Sequence, residues 1–197
     1  MISIFDYGAG NLRSVQNTLG AIGAEYELVR TPEALRLATK IILPGVGHFG
    51  QMMRAVDELG VREALKDAIR AGVPFLGICL GLQALFTESE EAPGERGLGI
   101  FAGSVRRFRG EMRIPHMGWN QIEPLRASRL LRETGETPFV YFAHSYYAPV
   151  TQATAAICDY CVPYTAALEQ DNVYGVQFHP EKSGELGLRV VRNFVES

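Results

Sequence analysis

The chain has 197 residues, 47% of them hydrophobic and 21% charged, and 19 Lys and Arg set against 22 Asp and Glu leave a net charge of −3. That size and composition suit one globular domain over residues 1–197 that buries a core without disulfides or structural metal, and they exclude a disordered chain. The balance supplies no overall basic field for nucleic acid or anionic lipid, and no apolar run is long enough to span a bilayer.

The opening residues M-I-S-I-F-D lack the basic region of a secretory signal and run directly into a strand-like segment over residues 2–5. Together with an odd count of three cysteines, this points to a cytoplasmic chain with reduced thiols. Helical periodicity covers residues 11–22, and a second strand covers 26–29. A short helix follows over 32–37, with Thr31 and Pro32 suited to N-cap and N1. A third strand over 41–43 ends in P-G-V-G. Helical patterns over 48–59 and 61–71 lead to a fourth strand over 74–78, and a further helix is expected over 80–86. Strand and helix alternating in this way predict an α/β fold with a mostly parallel sheet covered by helices on both faces.

From Gly99 the pattern changes to short strand candidates over 103–108, 120–122, 139–143, 155–160, 164–168 and 173–178. Turns rich in Gly, Pro, Asp and Asn separate them, and they predict an antiparallel extension of the sheet before a closing helix over 184–195. Cys158 and Cys161 form a C-x-x-C without the second ligand pair of a zinc site or the strand-to-helix setting of a redox motif, so both are expected to be structural. The basic run R-R-F-R at 106–109 reads as a solvated strand edge or a partner contact rather than a nucleic-acid site.

Cys79 falls at the carboxyl end of the fourth strand, where open parallel sheets bind ligands. The pattern G-x-C-x-G at 77–81 is the thiol counterpart of the G-x-S-x-G nucleophile elbow. A helix starting behind the sulfur would favour the thiolate, and the Leu80 N–H is placed to donate to a developing oxyanion. Taken alone, the stretch fits a buried packing cysteine equally well. A thiolate also needs a base. Of the four histidines, His179 follows another strand and precedes Pro180 and Glu181, so residues 179 and 181 point the same way from an extended segment. The alternative for H-P-E is a surface turn with a solvated carboxylate. In L-P-G-V-G at 43–47, two glycines around Val46 let the backbone aim an N–H at a ligand or turn it away. The alternative there is a plain turn before a helix.

Taken together, P-G-V-G at 44–47, G-I-C-L-G-L-Q at 77–83 and F-H-P-E at 178–181 resemble the triad, or class I, glutamine amidotransferases over nearly the whole chain. The stretches D-Y-G-A-G-N-L-R-S-V at 6–15, P-G-V-G-H-F-G at 44–50, P-H-M-G-W-N at 115–120 and H-P-E-K-S at 179–183 narrow it to members that serve a (β/α)8-barrel cyclase. The resemblance implies hydrolysis of L-glutamine by Cys79 as nucleophile, His179 as base and acid, and Glu181 as its orienter, with no metal or other cofactor. It implies an oxyanion hole from Leu80 and Val46. Substrate contacts are implied at Gln83, at Gly45 and along the backbone of His144, Ser145 and Tyr146.

A chain with no visible second active site must hand its ammonia to a partner, and the resemblance makes that partner the barrel cyclase subunit. Met117 and Trp119, apolar residues among turn formers, are expected on the interface rather than in the core. Asn120 belongs to the same stretch, and Asn11 and Lys182 match family positions on that face. Two other readings stay open: a glutaminase for a different synthase, and a non-catalytic binding module that keeps the fold.

Overall fold

The computed structural model describes residues 1–9 and 11–197. Gly10, within the D-Y-G-A-G-N-L stretch, lies outside the described residues. The first half alternates as expected: β1 (Ile2–Phe5), α1 (Leu12–Ala21), β2 (Tyr26–Val29), α2 (Pro32–Leu37), β3 (Ile41–Gly45), α3 (Phe49–Glu58), α4 (Arg62–Arg70) and β4 (Phe75–Cys79). Local chemistry marks the helix starts. Thr31 accepts a hydrogen bond from the Ala34 N–H with Pro32 at the first helical position, and His48 Nδ1 accepts from the Gly50 N–H at 3.1 Å. Each satisfies a donor that the helix itself cannot.

The remaining elements are α5 (Leu80–Gln83), β5 (Phe86–Ser89), β6 (Phe101–Arg107), β7 (His116–Gln121), β8 (Glu123–Pro124), β9 (Phe139–His144), β10 (Tyr146–Tyr147), β11 (Thr154–Tyr160), β12 (Val162–Gln170), β13 (Val173–Val176) and α6 (Gly184–Val195), with a 3-10 turn over Pro180–Lys182. An eight-stranded sheet runs β2-β1-β3-β4-β13-β12-β11-β8. Strands β2 to β13 in that order are parallel, and β12, β11 and β8 add an antiparallel edge.

Strand alternation divides the core between the two faces. Phe5, Ile41, Leu43 and Phe75 face Leu35, Met52, Val56, Leu65 and Ile69 of α2 to α4. Ile2, Ile4, Ile42, Leu76 and Ile78 face Val15 and Leu19 of α1 and Val190, Val191 and Phe194 of α6. Full burial of each such side chain stabilises the fold by about 1.5–3 kcal/mol, which is why the sheet serves as a fixed platform for the loops beyond its strand ends.

Two expectations need correction. The helix over 80–86 stops at Gln83, because the Ala84 and Leu85 carbonyls accept hydrogen bonds from the N–H groups of Leu98, Ile100 and Phe101. Phe86 then starts a strand, fully buried and 5.8 Å from the Phe101 ring. The antiparallel strands also do not all extend the main sheet. β5, β6 and β10 form a separate three-stranded sheet, and β7 pairs with β9 as a two-stranded ribbon.

Candidate active site

Cys79 ends β4 with φ 54° and ψ −107°, a left-handed conformation that L residues avoid outside strained turns. The flanking glycines make this turn possible. A Cβ on Gly77 would stand 2.5 Å from the Gly81 carbonyl oxygen, and a Cβ on Gly81 would land on the Leu43 carbonyl. The turn therefore packs backbone against backbone and lifts the cysteine out of the sheet. Leu80 opens α5, so its N–H has no acceptor within the helix. Since α5 spans four residues, the dipole behind the sulfur is that of about one turn.

His179 leaves the end of β13, the strand directly beside β4, so two residues a hundred positions apart in sequence emerge side by side. The cleft at this edge, about 210 Å³, is lined by Cys79 and His179 together with Val46, Leu80, Gln83, His144, Ser145 and Tyr146. His179 Nδ1 lies 2.8 Å from Glu181 Oε1, both side chains being almost wholly buried. With Nδ1 engaged there, the other ring nitrogen is the one left for the sulfur. Burial opposes a charge on the ring, yet the neighbouring Cys79 and Glu181 outweigh it and push the His179 pKa up to about 10. Asn11 Nδ2 reaches the same Glu181 oxygen at 3.4 Å, so this expected partner-face residue also braces the carboxylate.

Gln177, which the motif reading passed over, completes the surroundings of the sulfur. Its amide Nε2 stands 3.6 Å from Cys79 Sγ, and its Oε1 accepts from Gln83 Nε2 at 3.1 Å. It lies two residues before His179, just past the end of β13, and Glu181 comes round to the same ring through the 3-10 turn over Pro180–Lys182 rather than through the extended segment expected from the sequence. Gln83 also donates to the Tyr146 carbonyl at 2.8 Å, which ties the elbow helix to the loop after β9.

That loop is held by a directed chain of hydrogen bonds. The Tyr146 carbonyl only accepts, so His144 Nδ1, 2.8 Å away, carries the proton. His144 Nε2 then accepts from the Tyr164 hydroxyl at 3.2 Å, and the hydroxyl accepts from His116 Nδ1 at 3.1 Å. His116 Nε2 faces the Asn120 amide at 3.4 Å. Burial holds both rings neutral, lowering His116 to about 4 and His144 to about 3. Asn120 therefore turns inward from β7. Met117 and Trp119 lie on the opposite side of that strand and are more than half exposed. Trp119 stacks edge-on with Tyr141, whose ring also carries Lys182 Nζ 5.7 Å from its centre.

The remaining placements bear on the oxyanion hole. Gly45 is buried at the end of β3, where a Cβ would meet Leu80 and Gly81, and it does not line the cleft. The Val46 N–H donates to the Tyr7 hydroxyl at 3.2 Å and the same hydroxyl donates to the Val46 carbonyl at 3.1 Å. The N–H expected to serve an oxyanion is thus already engaged. The D-Y-G stretch holds Tyr7 but nothing local to it reveals this contact, because its partner lies 39 residues away. Burial pushes the Cys158 thiol up to about 11, and Cys161 sits at the β11–β12 hairpin with φ 61°. Among the described residues, no group of three His, Cys, Asp or Glu side chains is placed to share a metal ion. No described helix is long and apolar enough to cross a membrane.

Residues 3–197 match the family model described as glutamine amidotransferase class-I. The chain is 51% identical to the imidazole glycerol phosphate synthase subunit HisH of Methanothermobacter thermautotrophicus, covering 100% of this chain and 98% of that protein. It is 47% identical to the subunit of the same name from Thermococcus kodakarensis, covering 98% of each. The fold superposes with a TM-score of 0.78 on a crystal structure of a glutamine amidotransferase, at 21% identity over 99% of this chain and 97% of that one.

Proposed function

This chain belongs to the class-I glutamine amidotransferase family, and we propose that it is the glutaminase subunit of an imidazole glycerol phosphate synthase, acting in histidine biosynthesis as one domain over residues 1–197. The observation that carries this reading is the convergence of Cys79, His179 and Glu181 at one sheet edge in a chain similar over its whole length to proteins of that name. The geometry supports the following course.

The Cys79 thiolate attacks the carboxamide carbon of L-glutamine, and the Leu80 N–H stabilises the tetrahedral oxyanion, joined by the Val46 N–H once that group is free. One such donor contributes about 10²–10³ in rate. The His179 imidazolium protonates the departing nitrogen, which leaves as ammonia, and a thioester remains on Cys79. His179, now neutral, takes a proton from water, which attacks the thioester and releases glutamate. Glu181 holds the ring in the tautomer this shuttle needs, as a carboxylate does in serine hydrolases. Gln83 and the backbone of His144, Ser145 and Tyr146, all on the cleft lining, supply the substrate contacts, and Gly45 is buried behind that lining. No step calls on a metal or other cofactor.

Ammonia released into water protonates and loses its nucleophilicity, so it must pass directly to an acceptor site. The partner in this reading is a (β/α)8-barrel cyclase subunit that adds the ammonia to a phosphoribulosyl-formimino nucleotide, giving imidazole glycerol phosphate and an aminoimidazole carboxamide ribonucleotide. Met117 and Trp119 would anchor that heterodimer, with Asn11 and Lys182 beside them. Both subunits operate in the cytoplasm in this reading.

The test mixes this chain with the barrel subunit and assays glutamine-dependent product formation, wild type against Cys79→Ala. Product from wild type alone among the two supports the reading. Equal activity of the alanine variant, or none from either with ammonia salts still accepted by the barrel, overturns it.

A further inference from the structure

The Tyr7 hydroxyl bridges two successive peptide groups, accepting from the Val46 N–H at 3.2 Å and donating to the Val46 carbonyl at 3.1 Å. The N–H belongs to the peptide between Gly45 and Val46, and the carbonyl to the peptide between Val46 and Gly47. Turning either peptide breaks one of the bonds. We propose that Tyr7 is a positioning residue that latches the oxyanion strand, holding the Val46 N–H out of the catalytic cleft until the segment carrying Tyr7 is displaced. This rests on the reading of Val46 as an oxyanion donor given above.

Three features support the latch. The ring is fixed, since Tyr7 is 7% exposed and packs in the core cluster that includes Phe5, Leu43 and Leu80. The hinge is free to move, since Val46 and Gly47 are exposed while Gly45 before them is buried, and Gly47 has φ +96°, a conformation glycine alone adopts readily. Burial pushes the phenol up to about 12, so it keeps the proton that it donates to Val46 throughout the working pH range.

The trigger has a place as well. Tyr7 stands just beyond β1, four residues before Asn11, which braces Glu181 and lies on the proposed partner face. A partner pressing on the exposed Gly8 and Ala9 or on Asn11 acts on the strand end that carries the latch. Occupation of the cleft by the free N–H and docking of the partner would then be linked through one hydroxyl, and each would favour the other.

Tyr7→Phe removes that single oxygen. The expected result for the chain alone is a rise in glutaminase kcat on the order of tenfold, the scale of losing two neutral hydrogen bonds, with KM within about twofold of wild type. In the complex with the barrel cyclase, where the latch is already open, kcat is expected to stay at the wild-type level, so the stimulation by the partner shrinks. Amide exchange supplies a readout independent of activity: Val46 loses protection in the variant while Ile4 and Ile42 in β1 and β3 keep theirs. Tyr7→Leu repeats the test should the phenylalanine variant fold poorly. An unchanged or lowered basal kcat, with or without loss of protection at Val46, overturns the latch. Failure of the wild-type complex to hydrolyse glutamine overturns the parent reading and the latch together, and so is told apart from failure of the latch alone.

Discussion

His179 Nδ1 lies 2.8 Å from Glu181 Oε1, and the pair is buried at the edge of the cleft that holds Cys79. The second carboxylate oxygen of Glu181 is buried without a hydrogen-bond partner among the described residues, so the carboxylate is committed to the ring and to Asn11. Glu181→Gln keeps the shape but lets the amide present its N–H to Nδ1, favouring the wrong tautomer. Glutamine hydrolysis by the complex should fall about 10²–10⁴-fold with KM little changed. A kcat within threefold of wild type would show that the orientation is set elsewhere.

The ion pair around His179 should be visible by NMR. The ring is expected to titrate near 10 in the wild type and to move back toward its ordinary value in Cys79→Ala, because the sulfur is the larger of the two influences that raise it. A pKa raised in the folded state means that the charged ring stabilises the fold fully below about 6.5 and loses that contribution as pH climbs through 10. Urea unfolding of wild type and His179→Gln at pH 6 and at pH 10 should show the gap between them narrowing at the higher pH. A gap that widens would reverse the sign and refute the pairing.

Gln177 stands between the sulfur and Gln83. Gln177→Leu fills the space but takes away an acceptor from a Gln83 amide with almost no access to water. The expected cost is about 1–3 kcal/mol in chemical unfolding, with reduced glutaminase activity from a sulfur that has lost its amide neighbour. Unaltered stability and turnover would leave the side chain without the role assigned to it.

The elbow glycines can be compared with one that has room. Gly81→Ala would drive a methyl group into the Leu43 carbonyl, whereas a Cβ at Gly20 in α1 meets nothing within 4 Å. Thermal unfolding should place Gly81→Ala at least about 2 kcal/mol below wild type. Gly20→Ala should be neutral or more stable by about 0.5–1 kcal/mol, since alanine favours the helix. Similar values for the two variants would contradict the close packing of backbone at the turn.

Trp119 is 57% exposed, on the face of β7 away from the core. Trp119→Ala should leave the basal glutaminase rate of the chain alone unchanged and weaken binding of the proposed barrel cyclase partner by about 2 kcal/mol, roughly thirtyfold in Kd. Calorimetric titration at fixed salt measures it, and an unaltered Kd would remove Trp119 from the interface.

How far the sequence could be read follows from the range of each interaction. Thr31 and Pro32 announced α2 because capping is settled within one turn, and G-x-C-x-G announced the elbow because Gly77 packs on the backbone of Gly81 and Leu82 only a few residues on, whereas the contact of Gly81 with the Leu43 carbonyl is long-range. The H-P-E spacing put Glu181 with His179, although a 3-10 turn over Pro180–Lys182, and not the extended backbone expected, brings the carboxylate to the ring. β5 was missed for the opposite reason. The carbonyls of Ala84 and Leu85 are captured by residues 98–101, and nothing local to residues 80–86 records that competition. Asn120 was expected beside Trp119 on the partner face, yet adjacent strand residues point to opposite sides, and its amide faces His116.

By itself the sequence determined the alternating α/β plan, the cysteine corner after β4 and the neighbouring His179 and Glu181 proposed to serve it, because periodicity, glycine spacing and short-range chemistry are written along the chain. Only the folded molecule decided that β13 lies beside β4 and so brings His179 to Cys79, and that Tyr7 occupies the Val46 peptide groups. Both depend on which distant segments become neighbours, and that choice is made by burial summed over the whole sheet rather than by any local run of residues.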